Sequence, residues 1–265
     1  MDQPEQDAGG QLPVIRIIAE AFLFPFVCWR ALFTTLRWPV VATVAAYTMA
    51  QLFYVYDMPG LMLLGILLLG AGFVYLAVAC HRYVLMGAEA VHDIGRLRWS
   101  WRETRFLGWV LAIWFLACFA GFLVPALIFT IWSSLLSTEQ ESAIWAVILI
   151  GLLGFGVAAF VFGRMALLLP ATALDRRENI GWAFDRSAGN AWRMAVVAGV
   201  LPMLLSELPG LMYWMGDGFA VIVLLGLVTV LFWIVEIVAL SLSYRELADE
   251  PEATPENEGP LEQAT

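Results

Sequence analysis

The sequence predicts an all-α, polytopic integral membrane protein with six transmembrane helices, and three observations predict it. Of the 265 residues, 62% are apolar and 14% charged, with a mean hydropathy of +0.81. Soluble domains have roughly 45–50% apolar and about 25% charged residues, so a water-soluble single domain is excluded. Six apolar runs, at residues 39–56, 59–81, 106–132, 143–168, 194–214 and 219–243, reach the length of about 18 residues that crosses a hydrocarbon core about 30 Å thick. They lack period-two alternation, and lipid admits only helices or closed barrels, so they read as helices. All 14 basic residues are Arg, with no Lys, and all fall on one side of this six-span plan.

Residues 1–11 carry Asp2, Glu5 and Asp7, and residues 246–265 carry Glu246, Asp249, Glu250, Glu252, Glu256, Glu258 and Glu262. The formal net charge of -9 therefore belongs to two acidic tails; the body between them has 13 acids against 14 arginines. Both tails lack the apolar residues that offset ordering entropy and read as disordered, with residues 12–245 forming one membrane domain. The acidic start does not suit a signal peptide, which opens on a positive region. An acidic balance also argues against nucleic acid as a partner.

Residues 14–37 place Ile18, Phe22, Phe26, Trp29, Phe33 and Leu36 at spacings of three and four, with Arg30, Thr34 and Arg37 on the other face. This predicts an amphipathic helix lying in the headgroup region and kinked at Pro25. The same pattern recurs over 89–105, with Val91, Ile94, Leu97 and Trp101 against Arg98, Arg102 and Arg105. It recurs again over 175–193, with Ile180, Ala183, Phe184 and Ala191 among Arg176, Arg177, Arg186 and Arg193. Trp29, Trp99, Trp101, Trp182 and Trp192 suit interfacial depth.

Spans two, four and six end at Arg82, Arg164 and Arg245, spaced 82 and 81 residues apart, and spans one, three and five begin after Arg37, Arg105 and Arg193. Gly72 and Gly154 each lie ten residues before the closing Arg. The spacing predicts three related units, each an interfacial helix followed by a transmembrane hairpin. The opposite connections, around Asp57, Glu139, Glu141 and Asp217, carry no Arg, so the positive-inside rule puts both termini in the cytoplasm. Gly154 with Ala158 and Ala159 with Gly163 give small-xxx-small spacings for close helix approach, within the bundle or across a homodimer.

An ionisable side chain at membrane depth costs about 2.5–3.5 kcal/mol on insertion scales and is a candidate site by default. Glu236 lies nine residues before Arg245, roughly 13 Å deeper along a helix. Arg164 and His81 end neighbouring spans, so a clasp of Glu236 with Arg164 beside His81 is one expectation, and a proton or cation site with a water path is the other. Glu207, between Pro202 and Pro209, is either part of a broken-helix site or a carboxyl reaching water near the outer boundary.

Enzymatic signals are thin: HExxH, GxSxG, Walker and Rossmann patterns are absent, and His81 and His92 are the only histidines. His92 and Asp93 are adjacent and point apart on a helix. Cys28, Cys80 and Cys118 form no CxxC pair, which predicts buried free thiols and no metal site. No cofactor is implied.

Arg164-Met165-Ala166-Leu167-Leu168-Leu169-Pro170, then Ala171-Thr172-Ala173-Leu174-Asp175, and Ala183-Phe184-Asp185-Arg186-Ser187-Ala188-Gly189-Asn190-Ala191-Trp192-Arg193 resemble a pattern of bacterial six-span membrane proteins. These are the YciC-like proteins and the membrane domain joined to some glycerophosphodiester phosphodiesterases. About 30 residues carry the likeness. The chain has no soluble catalytic domain, so no phosphodiesterase activity and no catalytic residue transfers. The resemblance implies a bacterial inner-membrane protein.

The leading expectation is a non-enzymatic protein that organises lipids or partner proteins at the cytoplasmic face. Arg98, Arg102, Arg105, Arg176, Arg177, Arg186 and Arg193 would then bind anionic headgroups through forked donors, or serve only to set topology. The alternative is a small transporter or channel using Glu236 and Glu207. A weaker alternative is the membrane subunit of a separately encoded enzyme.

Overall fold

The computed structural model describes residues 11–91, 99–135, 140–211 and 218–248. His92, Asp93, Ile94, Arg96, Leu97, Arg98, Glu139, Asp217 and nearly all of the two acidic tails lie outside the described residues. Every described element is helical. In order these are α1 (Val14–Val27), α2 (Trp29–Thr34), α3 (Arg37–Val55), α4 (Pro59–Met86), a 3₁₀ turn (Ala88–Val91), α5 (Trp101–Leu135), α6 (Gln140–Met165), α7 (Leu168–Ala173), α8 (Ile180–Arg186), α9 (Ala191–Met194), a π segment (Ala195–Val200), α10 (Leu201–Leu211) and α11 (Phe219–Ala248). Six stretches are long and apolar enough to cross a membrane: Arg37–Val55, Pro59–Met86, Trp101–Ile131, Val147–Ala173, Ala191–Gly210 and Phe219–Ala248. The protein has the architecture of a multi-pass membrane protein.

Burial separates the helices by role. Only 11% of the apolar window of Trp101–Ile131 is buried, against 44% for Phe219–Ala248, so α5 turns its Leu111, Phe115, Phe119 and Phe122 outward while α11 runs through the centre. Outward apolar side chains are what a lipid solvent requires. The core gathers at the arginine-rich end, where Val74–His81 of α4, Met165–Ala173 and Ile234–Tyr244 of α11 bury one another. All six residues of α7 are buried, so this short helix is held by protein on every side.

Several of the buried hydroxyls are satisfied within their own helices. Thr43 donates to Pro39 O at 2.7 Å, Thr172 to Leu168 O at 2.7 Å, and Ser243 to Ala239 O at 2.9 Å. Each bond reaches back one turn, the usual answer where no water is available.

Close helix approach rests on small residues. A Cβ on Gly72 of α4 would lie 3.2 Å from Thr43 Cα of α3, and one on Gly154 of α6 would lie 2.5 Å from Gly121 O of α5. The other small face of α6 meets the π segment: a Cβ on Gly163 would lie 2.6 Å from Met194 O, and one on Gly199 2.6 Å from Ala159 O. Both small-xxx-small pairs of α6 are thus used inside the bundle. The π turn has a local cause. Pro202 has no N–H for the Ala198 carbonyl, so the preceding turn widens.

Two of the boundaries that differ from the sequence reading are held by polar groups. α5 begins at Trp101, because Ser100 and Glu103 cap it: Ser100 N donates to Glu103 Oε2 at 2.8 Å and the Ser100 hydroxyl bonds the same carboxylate. α11 continues through Ala248, and Glu246, read as part of the tail, pairs with Arg16 of α1 at 2.5 Å.

Candidate functional site

Burial sorts the arginines first. Arg82, Arg102 and Arg105 converge on Asp175, at 3.4, 3.4 and 3.3 Å. Asp175 follows α7 with φ 63, a left-handed turn that Asp tolerates better than most residues, and this turn points its carboxylate back at α4 and α5. Arg82 also donates to Ala173 O at 3.1 Å and Ala90 O at 3.2 Å, while Arg102 grips buried Glu103 through Nε at 3.1 Å and Nη2 at 2.8 Å. Two of the arginines expected to bind headgroups, Arg102 and Arg105, are therefore engaged in holding helix ends together.

Arg164 is engaged as well. Its Nε donates to Ser187 Oγ at 3.0 Å, a terminal nitrogen donates to Phe184 O, and the guanidinium lies 4.4 Å from the Phe184 ring centre. The expected clasp of Glu236 with Arg164 does not form. The C-terminal carbonyls of α8 take the cation instead, as helix C-termini favour. Arg193 donates to Asn190 Oδ1 at 3.0 Å and to Gln11, and lies 5.1 Å over Trp192. Asn190 Oδ1 also accepts from Leu12 N at 2.9 Å, so this turn anchors the start of α1. Arg176 sits over the Tyr244 ring at 5.8 Å, Arg186 is half-buried at the end of α8, and Arg177 is exposed; Arg98 lies outside the described residues.

Within the bundle lies a cavity of about 420 Å³, walled by α4, α5, α6, the π segment, α10 and α11. Phe73, Phe106, Trp114, Phe162 and Trp233 supply aromatic surface, with Phe73 and Trp233 edge to face at 5.1 Å and Trp114 and Phe162 at 6.4 Å. Trp114, Cys118 and Ser206 line it and are themselves exposed, so it is not sealed. Glu236 lines it too, half-buried, and makes no hydrogen bond or ion pair among the described residues.

His81 shares this wall and is otherwise buried. Its Nδ1 lies 2.8 Å from Ser241 Oγ, and Ser241 donates its one hydroxyl hydrogen to Ile237 O at 2.8 Å. The hydrogen between the two side chains therefore belongs to His81 Nδ1, which leaves Nε2 as a bare acceptor. Ser206 likewise gives its hydrogen to Met203 O, at 2.8 Å. The structure brings His81 and Glu236 to one cavity, each with a partner other than Arg164 or with none. Glu207 is exposed on α10 and does not line the cavity, although its neighbour Ser206 does.

Several of these residues have no charge-based signal. Ser241 and the cavity tryptophans look like ordinary span residues, and Asp175 looks like a loop acid. Glu103 is different, since Ser100-Trp101-Arg102-Glu103 spells a capping box that marks both the helix start and the buried carboxylate. Among the described residues no group of three or more His, Cys, Asp or Glu side chains is arranged to hold a metal ion; Cys28, Cys80 and Cys118 are free thiols, but against expectation only Cys80 is buried, Cys28 being half-buried and Cys118 exposed on α5. No protein-family description, curated protein or solved structure matches this chain.

Proposed function

We propose that this chain is a non-enzymatic carrier of the bacterial inner membrane that takes a small, largely apolar molecule into the cavity beside Glu236. In this proposal both termini are cytoplasmic, and the bundle consists of three transmembrane hairpins, each preceded by an interfacial helix. The observation that carries the reading is a carboxyl group without a partner among the described residues, on the wall of a roughly 420 Å³ intramembrane cavity. A desolvated polar group of this kind is costly to keep and is characteristic of substrate paths in membrane proteins. The volume falls within the range of about 300–1,000 Å³ usual for small-molecule sites. The adjoining π segment supports it further, because such irregular turns concentrate at working sites.

The test uses 4-phenylbutanol as a neutral probe and the purified full chain in lipid nanodiscs. Ligand binding to the folded state raises the unfolding temperature, and the rise should disappear in Met203→Trp, which fills the cavity. An equal shift in both proteins places the probe in the lipid and refutes the reading.

A second reading, a protein that organises anionic lipid at its arginine-rich end, draws on three surface arginines stacked on exposed tryptophans. Arg30 lies 5.5 Å over Trp29, Arg37 5.4 Å over Trp38, and Arg193 5.1 Å over Trp192. Arg176 and Arg177 are exposed as well. On this reading the protein co-purifies with anionic lipid, and replacing Arg176, Arg177 and Arg186 by Gln lowers the amount; unchanged lipid content by mass spectrometry counts against it.

A further inference from the structure

A carboxyl, an imidazole and a hydroxyl on the cavity's lining share one property. Glu236 carries a carboxyl with no hydrogen-bond partner among the described residues, His81 presents Nε2 as an acceptor because Nδ1 holds the hydrogen shared with Ser241, and Ser206 has given its hydrogen to Met203 O. Three acceptors therefore lie on the cavity's lining, and Arg164, expected beside Glu236, is turned onto α8 instead. A ligand that meets this wall must bring hydrogens to donate. A ligand that brings positive charge as well supplies the counter-charge that the protein itself withholds from Glu236.

The remainder of the lining fits the same chemistry. Phe73, Phe106, Trp114, Phe162 and Trp233 present aromatic surface, which attracts cations through the ring quadrupole and also buries hydrocarbon. Neutral apolar ligands would gain from the rings alone and leave Glu236 without a partner. Anionic ligands would face the carboxyl directly.

Resting on the proposal that this cavity takes up a small molecule, we infer that its ligand is an amphipathic organic cation, an ammonium group on an apolar body, with the ammonium paired with Glu236 and the body among the aromatic rings. The exposed Trp114, Cys118 and Ser206 on the cavity's lining leave it open for such a molecule to arrive from the bilayer.

A matched pair of probes tests this. 4-Phenylbutylamine is an ammonium ion at neutral pH, and 4-phenylbutanol has nearly the same size and apolar body without the charge. Dissociation constants are measured by equilibrium dialysis against nanodiscs holding the full chain, with empty nanodiscs subtracted. The amine should bind at least tenfold more tightly than the alcohol. Glu236→Gln should remove that preference, and Met203→Trp should abolish binding of both. Equal binding of amine and alcohol to the wild-type protein overturns the cation inference and leaves the cavity reading standing, and this comparison needs no variant to fold. Failure of both probes to bind above empty nanodiscs, or binding that Met203→Trp does not change, overturns the cavity reading itself. A tenfold preference that survives in Glu236→Gln overturns the assignment of the ammonium to this carboxyl.

Discussion

The packing of α6 gives a prediction in which one substitution made at two places on one helix has opposite signs. A Cβ added at Gly163 would lie 2.6 Å from Met194 O and 2.7 Å from both N and Cα of Ala195, all backbone atoms that no rotamer change can move. Carbon contacts settle near 3.5–4.0 Å, so α6 and the π segment must part by about 1 Å, an overpacking of the kind that costs about 1–3 kcal/mol. At Gly156, seven residues earlier, a Cβ meets nothing within 4 Å. Gly→Ala in a helix is worth about 0.5–1 kcal/mol through lost chain freedom, and both sites receive it. Gly156→Ala should therefore match or exceed the wild type, and Gly163→Ala should fall below Gly156→Ala by about 1–3 kcal/mol, the helix effect cancelling between them. Thermal unfolding in one mild detergent, followed by circular dichroism, measures the difference. Adding Gly199→Ala to Gly163→Ala should cost less than the two separately, because both strain the same contact and one displacement relieves both. Equal stability of Gly163→Ala and Gly156→Ala would show that α6 and the π segment are not in contact as described, and would refute the reasoning.

Two further predictions concern the arginines. Asp175→Asn keeps the left-handed turn but removes the charge shared by Arg82, Arg102 and Arg105; with the Asp175 side chain 52% exposed, solvent screening limits the loss to about 1 kcal/mol, falling as salt is added, and a salt-independent stability would contradict the charge argument. Arg164→Lys keeps the charge but not the fork that spans Ser187 Oγ and Phe184 O, so it should lose about 1–2 kcal/mol in the same unfolding assay, whereas wild-type stability would mean that charge alone matters there.

The six spans are legible because lipid leaves no other way to satisfy a backbone, so length and hydropathy carry nearly all the information. Hydropathy is silent on whether an apolar residue meets lipid or protein. Residues 143–168 read as one run, yet α6 stops at Met165, and the following Leu168–Ala173 is a separate helix buried on every side. The start of α5 at Trp101 and the end of α11 at Ala248 lie beyond the apolar runs for the opposite reason. Polar groups hold those ends, Glu103 on Ser100 in one case and Glu246 on Arg16 in the other, and an apolar count treats both acids as breaks. The π turn has a local signal in Pro202, but its packing against Ala159 of α6 is a contact between two helices that a single chain pattern does not display.

The same distinction explains why the polar residues were found and their pairing was not. Charge at membrane depth singles out Glu236 and Arg164 from sequence, and matching opposite signs is the natural next step. The guanidinium, however, had a nearer claim on it: α8 lies only 16 residues beyond Arg164 in the chain and brings Phe184 O, together with the hydroxyl of Ser187, to its side. Carbonyls at a helix end satisfy a forked donor without burying a second charge, so they compete well against a carboxylate that would itself have to be desolvated. Ser241 does the same for His81, one turn from Ile237 on α11. Arg164 and His81, the two groups expected beside Glu236, are thus drawn off by neutral partners, and the carboxyl lines the cavity without a partner among the described residues. Had the clasp formed, Glu236 would be explained by the fold alone; because it did not, no described residue accounts for this carboxyl, and a bound cation is the partner that the proposal supplies.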